Sequence, residues 1–370
     1  MNKKTEPGCK GMVRLGLVGL GKMGLSHLAI ARAHPGVELV AGCDGMGYLT
    51  DVLSQHTGLK CYADMGEMLA KEALDAVLVA TPSRLHADMV GKALAQGLHV
   101  FCEKPFVLDP ADGERLVALA ESKQLVTQVG YHYRFVGAFQ EAARVVRSGA
   151  LGSVHHVRAE AYGPVVLRAK GGTWRSAKSE GGGALYDYAC HAIDAINFIV
   201  GTPSAVSGVV RHAVFSRDVD DEVYCTLHFG QGASGQLCVN WSDESLRKMS
   251  TKLSVWGTNG RLTVDRQECQ VYLREPHAAL PGYPAGWTVR YTTELTQEVW
   301  FYMRGEEYSA QIDHFVQNVG QRRLDGENSF RSAFQADRVV AMILAAEGGD
   351  APRPRPAAQA PRGLLARLFG

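Results

Sequence analysis

The sequence predicts an α/β unit built on a parallel, doubly wound sheet, followed by an α+β unit built on a mostly antiparallel sheet. Three observations carry this. The chain has 370 residues, more than one hydrophobic core usually serves, and its 46% apolar content is enough to fill two. Through the first third, short apolar runs alternate with amphipathic stretches, the pattern of parallel strands with crossover helices. From about Gly149 the runs alternate apolar with polar residues, as strands do when one face of a sheet meets water.

In the first unit, strands are expected at residues 13–18, 37–43, 75–80, 98–102 and 125–129. Helical spacing covers 22–33, 84–96 and 109–122, with Ser83 and Asp109 placed as N-caps. In the second unit, strands are expected at 154–160, 205–215, 222–229, 234–241 and 251–256, and helices at 185–199, 307–319 and 329–346. The domains are therefore read as 1–130 and 131–348, the last helix packing back on the first domain. Residues 351–361 are rich in Pro, Ala and Arg and cannot bury enough surface to fold, so 349–370 reads as an extended or disordered tail. Its apolar, basic end at 363–370 is either frayed or docks on a membrane or partner.

The net charge is +1, with Lys and Arg scattered among Asp and Glu, so no surface for nucleic acid is expected. The eight cysteines, Cys9, Cys43, Cys61, Cys102, Cys190, Cys225, Cys238 and Cys269, fall singly and without paired metal-ligand spacing. They read as buried thiols in a reducing compartment. Residues 1–10 hold no apolar stretch of signal-peptide length, and no run reaches transmembrane length, so the expectation is a cytoplasmic protein.

Three motifs carry chemistry. Gly19, Leu20, Gly21, Lys22, Met23 and Gly24 form a GxGxxG loop between the first strand and first helix. There the glycines permit a tight turn, close backbone approach to a pyrophosphate, and close helix–strand packing. Asp44, ending the second strand, stands where a carboxylate binds ribose hydroxyls and repels a 2′-phosphate, so the Rossmann-type cofactor is read as NAD rather than NADP. At the ends of the third and fourth strands stand Thr81 and Pro82, then Glu103, Lys104 and Pro105, where Lys104 can donate to a substrate oxygen. Finally, Gly181 to Gly183 lead into a helix carrying Asp187 and His191 one turn apart, an imidazole for proton transfer with a carboxylate beside it. Asp194 is an alternative partner for that histidine. No third or fourth ligand stands at metal-site spacing, so no metal is expected.

Gly19 to Gly24, Thr81 and Pro82 with His86, Glu103 to Pro105, and Gly181 to Gly183 followed by Asp187, His191 and Asp194 together resemble the glucose-fructose oxidoreductase and inositol dehydrogenase (Gfo/Idh/MocA) family. The motifs come in the family's order and span from about Val13 to about Ala346. The resemblance implies a Rossmann domain joined to an α+β domain whose large open sheet makes a subunit interface, in a homodimer or homotetramer. It implies an active site between the domains, with Lys104, Asp187 and His191 as the catalytic set. The glycine loop, Asp44, Thr81, Pro82, His86, Glu103 and Lys104 would bind the cofactor. His132, Trp174 and Arg175 would join Asp187 and His191 at the substrate. That substrate would be a sugar, a cyclitol or a nucleotide sugar, with His191 exchanging the hydroxyl proton.

The stretch Tyr188, Ala189, Cys190 departs from the family, where Gly commonly stands next to the histidine, and the bulk of Cys190 is expected either to narrow the pocket or to alter substrate choice, without removing the catalytic groups. An Asn is common where His132 stands. Two other readings use the same residues: an enzyme that keeps its nicotinamide permanently bound and shuttles hydride between substrates, and a dinucleotide sensor or scaffold without turnover. Substrate choice is expected to depend on the loops at 165–174 and 276–287.

Overall fold

The computed structural model describes residues 11–167 and 174–346; the tail expected at 349–370 lies outside the described residues. The first unit runs β1 (Val13–Val18), α1 (Lys22–Ala33), β2 (Val37–Cys43), α2 (Gly47–Thr57), β3 (Lys60–Tyr62) and α3 (Met65–Lys71). It continues through β4 (Ala76–Val79), α4 (His86–Ala95), β5 (His99–Cys102), α5 (Pro110–Ser122) and β6 (Thr127–Val129). The strands pair in parallel in the order β3-β2-β1-β4-β5-β6. This is the doubly wound order in which ligands lie beyond the carboxyl ends of the strands.

The sequence signals explain these elements and two departures from them. β4 is buried on both faces, and its Ala-Val-Leu-Val run has no alternation to lose. Asp109 caps α5, its side chain accepting from the Ala111 N–H, with Pro110 at the first helical position. Ser83 does not cap α4. A 3-10 turn at Ser83–Leu85, set by Pro82, leads into the helix and satisfies the first N–H groups with backbone carbonyls, the Leu85 N–H on Pro82 and the His86 N–H on Ser83. The sheet has six strands rather than five, because the three-residue β3 joins its edge, so Thr81 and Glu103 follow the fourth and fifth strands.

The second unit contains α6 (Gly137–Arg147), β7 (Val154–Tyr162), a π-helical turn at Leu185–Ala189, and α7 (Cys190–Ile199). Then come β8 (Ala205–His212), β9 (Glu222–His228), β10 (Ser234–Asn240), β11 (Ser250–Gly257), β12 (Gly260–Val264), β13 (Glu268–Leu273) and β14 (Gly286–Tyr291). Three helices close the described chain: α8 (Thr292–Leu295), α9 (Glu306–Gln321) and α10 (Phe330–Ala345). The eight strands form one sheet in the order β14-β13-β12-β11-β7-β10-β9-β8, antiparallel except between β7 and β10. Every second residue of β9 and β13 is buried, so one face lies under α6 and α7 and the other faces outward.

One apolar core runs from α4, α5 and one face of the parallel sheet, through α6 and α7, to the inner face of the antiparallel sheet. A second covers the other face of the parallel sheet with α1 and α9. α10 returns to α5 and β6, and Gly113 makes room for it: a Cβ there would stand 2.1 Å from the Phe334 ring. The two sheets are thus joined by continuous packing, with the carboxyl ends of β4 and β5 facing the π-helical turn.

Candidate active site

Each motif glycine does separate work at the end of β1. Gly19 has φ 92°, and a Cβ there would approach the Ala80 carbonyl to 2.6 Å. A Cβ on Gly24 would lie 1.8 Å from the Gly19 oxygen, so α1 packs at backbone distance on the loop. Gly21 meets open space, where the first N–H groups of α1 can receive a pyrophosphate. Leu20 is buried, Met23 half-buried and Lys22 exposed. Asp44 is locked beside the loop, Oδ2 accepting from the Leu20 N–H at 2.7 Å and Oδ1 from the Met46 N–H at 2.9 Å. α2 begins three residues later at Gly47. The buried Thr81 Oγ1, without a partner among the described residues, adds an unsatisfied hydroxyl beside this cradle. The residues present fit a dinucleotide.

Behind the cradle, His86 is buried with Nδ1 2.8 Å from the Pro105 oxygen and Nε2 3.0 Å from the Thr81 oxygen. It straps the ends of β4 and β5 together, and burial lowers its pKa despite the carbonyl contacts. Glu103 faces the buried His27 of α1, Oε1 to Nε2 at 2.7 Å, and accepts from the Lys104 N–H at 3.2 Å. Burial opposes the Glu103 carboxylate, but the His27 contact and the Lys104 charge outweigh it and its pKa is lowered. The sequence reading missed His27, although its place three residues after Gly24 on a buried helix face was a usable signal.

Lys104 reaches across to the second unit. Its Nζ donates to Asp187 Oδ1 at 3.1 Å and to the Asp187 backbone oxygen at 3.0 Å, while Arg175 Nε donates to Oδ2 at 2.8 Å. The helix expected at 185–199 opens with a π-helical turn, and the widened turn presents carbonyls to side chains. Asp187 offers its carbonyl to Lys104, and Cys190 Sγ donates to the Tyr186 oxygen at 2.9 Å. Cys190 is buried and its thiol turns back to a carbonyl of the turn. Burial works against both charges of the pair, but each partner outweighs it: Lys104 is raised and Asp187 lowered.

The start of this turn is fixed by Asp220, which sequence reasoning missed. Its backbone oxygen accepts from the Ala184 N–H and its Oδ2 from the Leu185 N–H, each at 2.8 Å, while Arg211 pairs with Oδ1. Gly183 must be glycine here, since it has φ 108° and a Cβ would meet Asp220 Oδ1 at 2.6 Å. No local pattern marks a loop aspartate 35 residues away from its helix.

His191 does not pair with either carboxylate. Asp187 is taken by Lys104 and Arg175, and Asp194 forms a buried pair with Arg134, Nη2 to Oδ1 at 2.6 Å. His191 is instead ringed by aromatics: Tyr131, His132 and Tyr133 stand edge-on at centroid distances of 6.0, 5.0 and 5.6 Å. Its Nδ1 is buried without a partner among the described residues. Burial first, then the Lys104 charge, hold it well below the usual histidine range. His132 stacks on Tyr308 at 4.9 Å, and burial with the nearby Arg266 pushes it down to about 3. Trp174 lies against the Arg175 guanidinium at 4.8 Å. Of the loops expected to select substrate, 168–173 lies outside the described residues, and 276–287 goes elsewhere: Tyr283 bonds Glu141, and Trp287 stands on β14.

Comparison with known proteins gives these residues a context. Residues 13–131 match the family described as "Oxidoreductase family, NAD-binding Rossmann fold", and residues 139–263 match the GFO/IDH/MocA C-terminal domain. The rhizopine catabolism protein MocA of Rhizobium meliloti is 32% identical over 60% of this chain and 69% of its own. The scyllo-inositol 2-dehydrogenase (NAD(+)) of Bacillus subtilis is 26% identical over 68% of this chain and 73% of its own. Among solved structures, levoglucosan dehydrogenase in complex with NADH and levoglucosan shares the fold with a TM-score of 0.78 at 23% identity, covering 90% of this chain and 96% of that one. The chain belongs to the GFO/IDH/MocA oxidoreductase family, whose Rossmann domain binds NAD.

Proposed function

We propose that the protein transfers hydride between NAD and a secondary alcohol or ketone of a sugar, cyclitol or nucleotide sugar, with Lys104, Asp187 and His191 as its working set. The observation that carries this is the contact of Lys104 with Asp187, which brings the end of β5 against the π-helical turn beside a neutral, buried His191. NAD would lie along Gly19 to Gly24, Asp44, Thr81 and Glu103 and supply the hydride acceptor or donor.

In oxidation, a neutral imidazole at His191 accepts the hydroxyl proton, and in reduction it returns it. Lys104, held protonated, donates to the substrate oxygen and stabilises negative charge developing there. Asp187 spends its oxygens on Lys104 and Arg175, so it aims the ammonium rather than exchanging the proton. His132 braces His191 from the side, while Arg175 and Trp174 approach the substrate from the loop before the turn. We also propose assembly into a homodimer or homotetramer through the outward face of the eight-stranded sheet.

The test is nicotinamide absorbance with NAD or NADP and a panel of cyclitols, sugars and nucleotide sugars. Lys104→Ala and His191→Ala are each expected to lower turnover by a factor on the order of 10²–10⁴, with dinucleotide affinity retained. Near-wild-type turnover in either variant removes that residue from the mechanism.

A further inference from the structure

The buried pair of His27 and Glu103 joins the two ends of the cofactor cradle. His27 belongs to α1, whose first N–H groups can receive a pyrophosphate, while Glu103 follows β5 and precedes Lys104. The carboxylate is held from several sides: Oε1 meets His27 Nε2 at 2.7 Å, Oε2 accepts from the Lys104 N–H, and a Cβ on Gly130 would stand 2.9 Å away. His27 is itself braced edge-on by the Phe101 ring at 5.4 Å. On the far side, the Glu103 charge is felt by His132 and Tyr308, the rings beside His191. The His27 side chain has no exposed surface and that of Glu103 keeps 11%, so a ligand can meet this pair only through the carboxylate.

The hydrogen bonds of the pair decide its charge. His27 Nδ1 is buried without a partner among the described residues. An imidazolium has two N–H donors and would leave one of them buried and unpaired, whereas a neutral ring with its proton on Nε2 leaves only a lone pair. The pair therefore carries one net negative charge, on Glu103. Close by, two cations share one carboxylate, since Lys104 and Arg175 both pair with Asp187. Glu103 offsets that excess of positive charge. A nicotinamide ring is cationic when oxidised and neutral when reduced, so this one charge acts differently on the two forms, and it acts more strongly in a buried site than it would in water.

We propose that the His27–Glu103 pair tunes the bound cofactor: Glu103, oriented by His27, shifts the balance of affinities toward the cationic ring of oxidised NAD and away from the neutral ring of NADH, which eases release of the reduced form. The inference rests on the dinucleotide site described above and deepens the proposed reaction. His27 is a positioning residue, since it touches neither substrate nor cofactor and acts through Glu103.

The experiment is calorimetry of NAD and NADH binding without substrate, read as the ratio of the two dissociation constants. Glu103→Gln keeps the size of the side chain and removes its charge; it is expected to weaken NAD by about tenfold relative to NADH, the order expected for one charge at short range in a partly screened site. His27→Leu, which frees the carboxylate to turn away or to take up a proton, is expected to lose part of that preference, and His27→Gln, which keeps a neutral donor, to retain it. Equal loss of both affinities in Glu103→Gln would assign the residue to shape alone and overturns the proposal, as does an unchanged ratio in His27→Leu. Should these buried variants fold poorly, wild type decides. It must bind NAD more tightly than the analogue with a neutral benzamide ring in place of nicotinamide, and equal or tighter binding of that analogue overturns the proposal. Because no substrate is present, the two readings fail separately. The expected ratios in a protein that oxidises no alcohol and reduces no ketone would remove the proposed reaction and leave this inference standing, whereas turnover by wild type with an unchanged ratio in Glu103→Gln would remove the inference alone.

Discussion

At the scale of single residues, the site depends on which groups are kept charged and which neutral. Lys104 and Asp187 hold each other ionised, whereas burial keeps His132 and His191 neutral. A neutral His191 can accept a proton across the neutral range, so the acid limb of kcat/KM for oxidation is expected below pH 6.5, the ordinary histidine value. The same depression bears on stability. For His132 the folded pKa is about 3 against 6.5 unfolded, so the unfolded chain takes up the proton first as pH falls. Stability present above 6.5 is therefore lost progressively towards 3. Melting curves should show Tm falling from pH 7 to 5, and His132→Asn should flatten that slope; an unchanged slope would show that His132 is not its source. Asp44 is the other charge with a readable consequence. Asp44→Ala should weaken NAD more than NADP, and an unchanged ratio in a fluorescence titration would show that this carboxylate does not read the ribose. Lys104, Asp187 and His191 were legible because short motifs carry them. The pairing was not: the sequence put a carboxylate on His191, and only the fold shows Arg175 and Arg134 taking those carboxylates.

At the scale of elements, the π-helical turn and α7 deliver Asp187 and His191, and Asp220 decides where they begin. Asp220→Ala removes the acceptor of the Leu185 N–H and one partner of Arg211. An unpaired buried donor costs about 1–3 kcal/mol, so a lower Tm is expected. A turnover loss exceeding any loss of NADH affinity should accompany it if His191 exchanges the proton as proposed, because the displaced helix carries His191 while the glycine loop stays intact. Loss of Tm with kcat intact would restrict Asp220 to stability. Elements were legible where periodicity and burial agree: β1, β2 and α1 follow their apolar patterns to the residue. Most were missed where either signal is short, although α6 was missed while burying Ala138, Phe139, Ala142 and Val145. β3 has three residues, and α2 buries only Thr50. β12 to β14 lie in a meander whose partners are fixed by pairing across the sheet rather than by any one strand's composition.

At the scale of the whole molecule, the eight-stranded sheet leaves one face without a covering layer among the described residues. The register lines up a row across it: His156, Trp256, Arg261, Tyr272 and Trp287 stand on consecutive strands β7, β11, β12, β13 and β14. Arg261 lies between the Trp256 and Trp287 rings at 5.4 and 5.8 Å, and Tyr272 packs on Trp287 at 5.3 Å. Trp287 is nonetheless 56% exposed and Tyr291, on the same strand, 49%. Aromatic and arginine side chains clustered on an open face are what protein interfaces concentrate at their centres. A second copy laid on this row would bury it without touching the carboxyl ends of β4 and β5, where the site is. Light scattering should therefore find an oligomer, and Tyr272→Asp with Trp287→Asp should shift it to monomer. Because these side chains point away from the core, far-ultraviolet circular dichroism should be unchanged. Hydride transfer should survive in that monomer, since Lys104, Asp187 and His191 all come from one chain; activity lost with an intact fold would mean that the neighbouring copy shapes the site. A monomeric wild type would leave the row needing another occupant.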